Sequence, residues 1–207
     1  MTNNTHETFF NFKPIIIDNL FTEEEIESIY KTRFELALGK KNGDGSDFVF
    51  TDPSCGYITC VYPFEYEIRR KILNEIAKRV PIYVKEDGNH MPRYTLESGS
   101  KPALRPHYDV GMVSASFTLS IQLKHTKPWD LYVEGEKFDL KYNQAALFSG
   151  SHQIHWRPDT EFDESDYYDI IVCQVYEDTE NPLMLDAAHR ATMQTKADFY
   201  VNKFFNS

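Results

Sequence analysis

The segment Arg105-Pro106-His107-Tyr108-Asp109 and the later Ile154-His155-Trp156 carry the donor types of a metal centre, with 45 residues standing between Asp109 and His155. On an extended chain, residues i and i+2 share a face, so His107 and Asp109 point the same way. A later strand lying beside the first would bring His155 to the same place. Two imidazoles and one carboxylate on one side of an ion leave its remaining positions open, a donor set that suits Fe(II) and oxygen chemistry. The pattern His-x-Asp is weak in a chain with seven histidines. It is strengthened here by Pro106 and by the long alternating strand that follows. The competing reading makes His107 and Asp109 a surface-loop pair.

His152 is the rival for the distal imidazole. It sits in the turn-like Gly150-Ser151-His152, whereas His155 lies between apolar Ile154 and Trp156, so His155 is preferred. His125, within Lys124-His125-Thr126-Lys127-Pro128, reads as a solvated loop residue, and His6, His90 and His189 as ordinary histidines. The acidic run from Asp159 to Asp169 lacks the glycine and ligand spacing of a calcium loop and reads as solvated.

The elements that must position these residues follow from periodicity. Pro14–Asp18 is a short β-branched run that predicts a buried strand. Thr22 with Glu25 three residues on forms a capping box, and Ile26, Ile29, Tyr30 and Phe34 continue one helical face. Gly39–Pro53 is rich in turn residues, Tyr57–Tyr62 alternates weakly, and Pro63–Arg79 predicts a second helix with Ile68, Ile72, Ile76 and Val80 in register. From Ile82 to Val175 the pattern predicts about eight strands, at 82–84, 91–96, 113–123, 131–133, 138–140, 145–148, 154–156 and 168–175. Pro182–Phe205 is helix-like. The chain is thus expected to be a single domain, mostly β with flanking helices (α+β). Its parts are a helical portion over about 1–80, a jelly-roll core over about 81–177 and a helical tail over about 182–205.

The chain has 207 residues, 41% hydrophobic and 26% charged, ordinary globular usage that excludes a disordered or fibrous protein. A net charge of −10 repels phosphate backbones, so neither general nucleic-acid binding nor an anionic-membrane partner is expected. Cys55, Cys60 and Cys173 are odd in number with no C-x-x-C spacing, which predicts reduced thiols in a cytoplasmic compartment. Neither a leader at the start nor an apolar run of membrane-spanning length is evident.

With these motifs in place, the sequence resembles the Fe(II)/2-oxoglutarate-dependent oxygenase superfamily. The matching stretches come in family order: Pro14–Leu20 and the acidic helix, Arg93-Tyr94 through Gly99, Pro106-His107-Tyr108-Asp109, Ser116–Leu123, Asn143–Ser149 and His155-Trp156-Arg157. Together they cover about Phe12 to Tyr176. The resemblance implies a double-stranded β-helix core, a cupin-like jelly-roll variant. It also implies Fe(II) held by His107, Asp109 and His155, with 2-oxoglutarate as co-substrate and O2 as oxidant.

One departure matters. Relatives carry an Arg or Lys about ten residues after the distal His to hold the far carboxylate of 2-oxoglutarate, and the segment after Arg157 has no cation before Asp169. The substitutes are Arg157, Lys124, Arg93 and Arg105, with Tyr94 at a position often beside the co-substrate. Arg157 shares a strand face with His155, while Lys124 extends the polar face Ser116, Thr118, Ser120, Gln122. The competing reading of Arg157 is a surface ion pair with the acidic run.

The expected function is therefore a dioxygenase. It would be a hydroxylase of a small molecule or peptide, coupling oxidative decarboxylation of 2-oxoglutarate to succinate with C–H oxidation. Asp109 in the ligand set argues against halogenation, and the site's mouth is expected at Gly39–Cys55 and Trp129–Tyr132. Two alternatives stay open: a cupin-like metalloprotein without 2-oxoglutarate, and a non-catalytic jelly-roll binding module.

Overall fold

The computed structural model describes residues 5–37, 49–52, 56–61, 65–109 and 114–206. A one-turn helix α1 (His6–Phe10) leads into strand β1 (Ile15–Ile17) and helix α2 (Glu23–Ala37). Thr22 and Glu25 close the capping box reciprocally: Glu25 N–H donates to Thr22 Oγ1 at 3.2 Å and Thr22 N–H to Glu25 Oε2 at 2.7 Å. Strands β2 (Val49–Asp52) and β3 (Tyr57–Val61) precede helix α3 (Tyr66–Ala77), whose Ile68, Ile72 and Ile76 form its buried stripe.

Eight further strands follow. They are β4 (Val84–Thr95), β5 (Leu104–His107), β6 (Ser116–His125), β7 (Leu131–Val133), β8 (Glu136–Phe138), β9 (Ala145–Phe148), β10 (His155–Arg157) and β11 (Tyr167–Glu177). Helix α4 (Ala187–Phe204) ends the chain. All named strand pairs are antiparallel and form two sheets, β1-β9-β6-β11-β4-β3-β2 and β5-β10-β7-β8. This is a jelly-roll with helices on its outer faces, as expected.

Side-chain alternation assigns the layers. In β6, Phe117, Leu119, Ile121 and Leu123 join Ile26, Ile29, Ile72 and Ile76 in one cluster, so α2 and α3 cover the outside of the seven-stranded sheet. The other face of β6, Ser116, Thr118, Ser120 and Gln122, is buried as well and turns inward. On the four-stranded sheet the outward residues Ile154 and Trp156 pack under Met193 and Ala197 of α4. The tail is thus part of the packed structure and covers the strand that carries the distal histidine.

Positive φ marks two of the turns. Glu134 (φ 50°) and Gly135 (φ 85°) make the two-residue turn of the β7–β8 hairpin, with the backbone twist that such hairpins favour. Asn143 (φ 62°) uses its amide to bracket Phe21, accepting from its N–H at 2.9 Å and donating to its carbonyl at 2.7 Å.

Several boundaries differ from the sequence expectation. The predicted strands at 82–84 and 91–96 are one twelve-residue strand, β4, running through Gly88. Short strand β2 and helix α1 have no counterpart in the sequence expectation; the rest of the expected 39–55 mouth lies outside the described residues. Lys124 breaks the alternation: β6 and β11 slip register between Tyr168↔His125 and Ile170↔Gln122, and Lys124 lands over the Tyr30 ring of α2, 4.7 Å from its centroid. It is exposed to solvent on the helix side and does not line the barrel.

Candidate functional site

Strands β5 and β10 pair with His107 directly opposite His155. Their rings lie 4.2 Å apart between centroids, and His155 Nε2 is 3.5 Å from Asp109 Oδ1. One donor atom from each of His107, Asp109 and His155 falls within 4.8 Å of the others. Asp109 itself lies just past the end of β5. Its direction is set by its N–H, which donates to the Gly150 carbonyl at 2.9 Å, and by Thr118 Oγ1, which donates to Oδ2.

Both imidazoles are oriented the same way. His107 Nδ1 lies 2.7 Å from the Arg105 carbonyl and His155 Nδ1 3.0 Å from the Gln153 carbonyl. A carbonyl can only accept, so each Nδ1 carries the proton and each Nε2 keeps its lone pair for an ion. Burial, with His155 alongside, pushes His107 down to about 4, which keeps it a neutral donor at neutral pH. Burial alone would raise the Asp109 carboxyl. The His155 imidazole beside it, with help from His107 and Thr118, outweighs that and holds it below the usual carboxylate range. His107 Nε2, His155 Nε2 and an Asp109 carboxylate oxygen therefore converge on one point.

Arg157 follows His155 by two residues on the inward face of β10, about 7 Å along at ~3.3 Å per residue. It is fully buried, which replaces the surface ion pair entertained from the sequence. Nη1 donates to Tyr168 Oη at 2.9 Å and to the Trp129 carbonyl, and the guanidinium stands 4.7 Å from the Tyr168 ring centroid and 5.5 Å from that of Trp129. Nε and Nη2 have no hydrogen-bond partner among the described residues. Two orphaned donors on one edge of a buried guanidinium match a carboxylate that accepts two parallel hydrogen bonds. Tyr94 is buried beside this cradle, edge-on to Trp129 with centroids 4.9 Å apart. Trp129 is thus interior and does not belong to a mouth.

The other cations considered from the sequence are placed elsewhere. Arg93 makes two 2.8 Å hydrogen bonds to Asp169, and Arg105 is exposed over the Phe205 ring. Asp169 is no part of a solvated acidic run: it is fully buried in β11, with Arg33 at 3.5 Å and Tyr30 Oη at 2.9 Å completing its partners. His125 ends β6 half-buried against Gln122 and Tyr168. His90 is half-buried in β4. His152 is not beside the triad; it is fully buried with His6 and His189.

Two further residues shape the site. Thr118 belongs to the inward polar face of β6, but its bond to Asp109 depends on where β5 ends. Gly150 is required by space: a Cβ there would overlap Asp109 Oδ2 and Thr118 Oγ1.

No protein-family model matches the chain, and no curated protein matches it at a significant level. Solved structures do. The chain superposes on SnoN, a non-haem α-ketoglutarate-dependent epimerase from nogalamycin biosynthesis, with a TM-score of 0.63 at 7% identity, covering 84% of this chain and 82% of that one. HygX from Streptomyces hygroscopicus, with nickel, 2-oxoglutarate and hygromycin B bound, gives 0.57 at 12% identity over 92% and 94%. A Trichoplax adhaerens prolyl hydroxylase in complex with a hypoxia-inducible-factor peptide fragment gives 0.55 at 12% identity over 90% of each chain. The fold is the double-stranded β-helix, a jelly-roll variant, that these structures share. No helix among the described residues is long and apolar enough to cross a membrane.

Proposed function

We propose that this chain is a non-haem Fe(II)- and 2-oxoglutarate-dependent dioxygenase, a hydroxylase of a small-molecule or peptide substrate. His107, Asp109 and His155 hold the iron, and Arg157 takes the far carboxylate of 2-oxoglutarate, with Tyr94 beside it. The observation that carries the reading is the pair of orphaned donors on Arg157, two residues from His155 on the same inward face. A buried guanidinium with three of its five N–H donors unpaired is costly, and a bound dicarboxylate relieves that cost. HygX, which shares the fold, has been crystallised with iron and with 2-oxoglutarate, and the donor set here suits the same pair.

Bound iron would supply the oxidising chemistry, coupling decarboxylation of 2-oxoglutarate to succinate with C–H oxidation. The chain's own residues do the rest. The Arg105 and Gln153 carbonyls fix the tautomers of His107 and His155, Thr118 orients the Asp109 carboxylate, and Arg157 neutralises and aligns the co-substrate. Trp129, Tyr94 and Tyr168 exclude water from its carboxylate.

The test is anaerobic titration of the Fe(II)-loaded protein with 2-oxoglutarate, followed by the visible charge-transfer band of the chelate, and then substrate-stimulated succinate release under air. His107→Ala and Asp109→Ala should abolish both while the folded far-ultraviolet spectrum persists. Iron bound without any 2-oxoglutarate band would instead identify a cupin-like metalloprotein, and no iron binding a non-catalytic module.

A further inference from the structure

A second group of three histidines stands apart from the iron triad. His6 comes from α1, His152 from the turn over residues 149–153, and His189 from the first turn of α4. One ring nitrogen from each lies within 4.8 Å of the others. His6 Nδ1 and His152 Nε2 are 2.9 Å apart, and the His189 ring centroid is 4.2 Å from that of His152 and 4.9 Å from that of His6. His152 and His189 are buried, and His6 is half-buried at the edge.

The outer contacts resemble those of a ligand set. His152 Nδ1 is held by Ser151 Oγ at 2.8 Å, which leaves Nε2 toward the cluster. His189 Nε2 lies 2.9 Å from the Ser151 carbonyl and must donate to it, so the lone pair of His189 is on Nδ1. That nitrogen is buried and has no hydrogen-bond partner among the described residues. Phe9 and Phe10 pack against His152, and the adjacent cation Lys196 is paired with Glu134 at 2.9 Å. A plain hydrogen-bonded imidazole pair would explain His6 and His152 but leaves the His189 nitrogen orphaned.

We propose that His6, His152 and His189 form a second metal site for a borderline divalent ion, of which Zn(II) is the representative. Three imidazoles with no carboxylate among them are a nitrogen-only set, which suits zinc, nickel or copper and differs from the mixed set of the iron triad. Zinc takes nitrogen at about 2.0–2.1 Å, so small ring rotations from the present spacings close a three-nitrogen face, with a fourth position left to solvent beside His6. The ion would staple α1 and α4 to the turn that carries Gly150.

The experiment uses chelator-stripped full-length protein and zinc alone, with the iron triad disabled by Asp109→Ala/His155→Ala. That variant should bind one equivalent of zinc and gain a Tm rise of roughly 5–10 °C at zinc about 100-fold above Kd. Adding His6→Ala should remove both effects while circular dichroism shows an unchanged fold, and wild-type protein should bind two equivalents. Cobalt in place of zinc should give the intense visible bands of a four-coordinate nitrogen site, lost with His6→Ala. The proposal is overturned if the triad-disabled variant binds no zinc, or if His6→Ala and His189→Asn both leave its one equivalent in place.

Discussion

Gly150 and Asp109 are packed against each other so closely that no side chain fits between them. The Gly150 carbonyl accepts the Asp109 N–H at 2.9 Å, and a Cβ on Gly150 would come within 3.0 Å of Asp109 Cγ while overlapping Oδ2. The obstacles are a carboxylate and the Thr118 hydroxyl that donates to it, both of which have a task. Gly150→Ala should therefore displace Asp109 and weaken Fe(II) binding about 10–100-fold, the usual effect of disturbing a ligand's support. The variant should stay folded, and an iron titration with unchanged affinity would show that Asp109 does not depend on this contact.

Thr118 offers a gentler probe of the same carboxylate. Thr118→Val keeps the shape and removes the donor to Asp109 Oδ2. Iron affinity should fall by about tenfold or more, and Thr118→Ser should restore most of it because the hydroxyl returns. A loss in the serine variant with none in the valine variant would mean that packing, and not the hydrogen bond, holds Asp109.

The parts of this architecture that were legible in the sequence are those with strong local period. Alternation in Ser116–Leu123 separates an apolar face for the helices from a polar face for the barrel, and the structure keeps both. The alternation Ile154, His155, Trp156, Arg157 likewise places His155 and Arg157 inward, and the capping box at Thr22 starts α2 as read. What was not legible depends on partners far along the chain. Lys124 changes face because a register slip against β11 falls beside it. Asp169 looks like one more acid in a charged run, yet Arg33, Arg93 and Tyr30 enclose it. The Gly150 contact and the grouping of His6 with His152 and His189 are both tertiary, with no spacing rule to reveal them.

The Asp169 cluster is a stability device on the helix side of the sheet. Its carboxylate is fully buried, and Arg33 and Arg93 bring two guanidinium groups to it. Asp169→Ala leaves both cations facing a site without a counter-charge, so unfolding free energy should drop by about 3–5 kcal/mol. Asp169→Asn, which retains hydrogen-bond acceptance without charge, should cost less. Chemical denaturation of the two variants measures the difference; a loss below about 1 kcal/mol for alanine would show that water replaces the carboxylate.

Arg157 makes the sharpest separation between binding and folding. Its guanidinium is buried, satisfied on Nη1 by Trp129 and Tyr168 and unsatisfied on Nε and Nη2. In the free protein those orphaned donors are a cost, so Arg157→Gln should leave Tm little changed and does not remove an iron ligand. In the complex the same donors meet the carboxylate of 2-oxoglutarate, and a charge-assisted hydrogen bond is worth about 1.5–3 kcal/mol. The apparent KM for 2-oxoglutarate should therefore rise by roughly 10–100-fold while Fe(II) affinity is kept. The rise in Tm that 2-oxoglutarate gives the iron-loaded wild type should shrink in parallel. Arg157→Lys should recover only part of the loss, because a single ammonium cannot supply two parallel donors. Lys124→Gln is the matched control: Lys124 lies over Tyr30 on the far side of the sheet, so its KM should stay at the wild-type value. A raised KM for Lys124→Gln together with an unchanged one for Arg157→Gln would move the co-substrate anchor out of the β10 cradle.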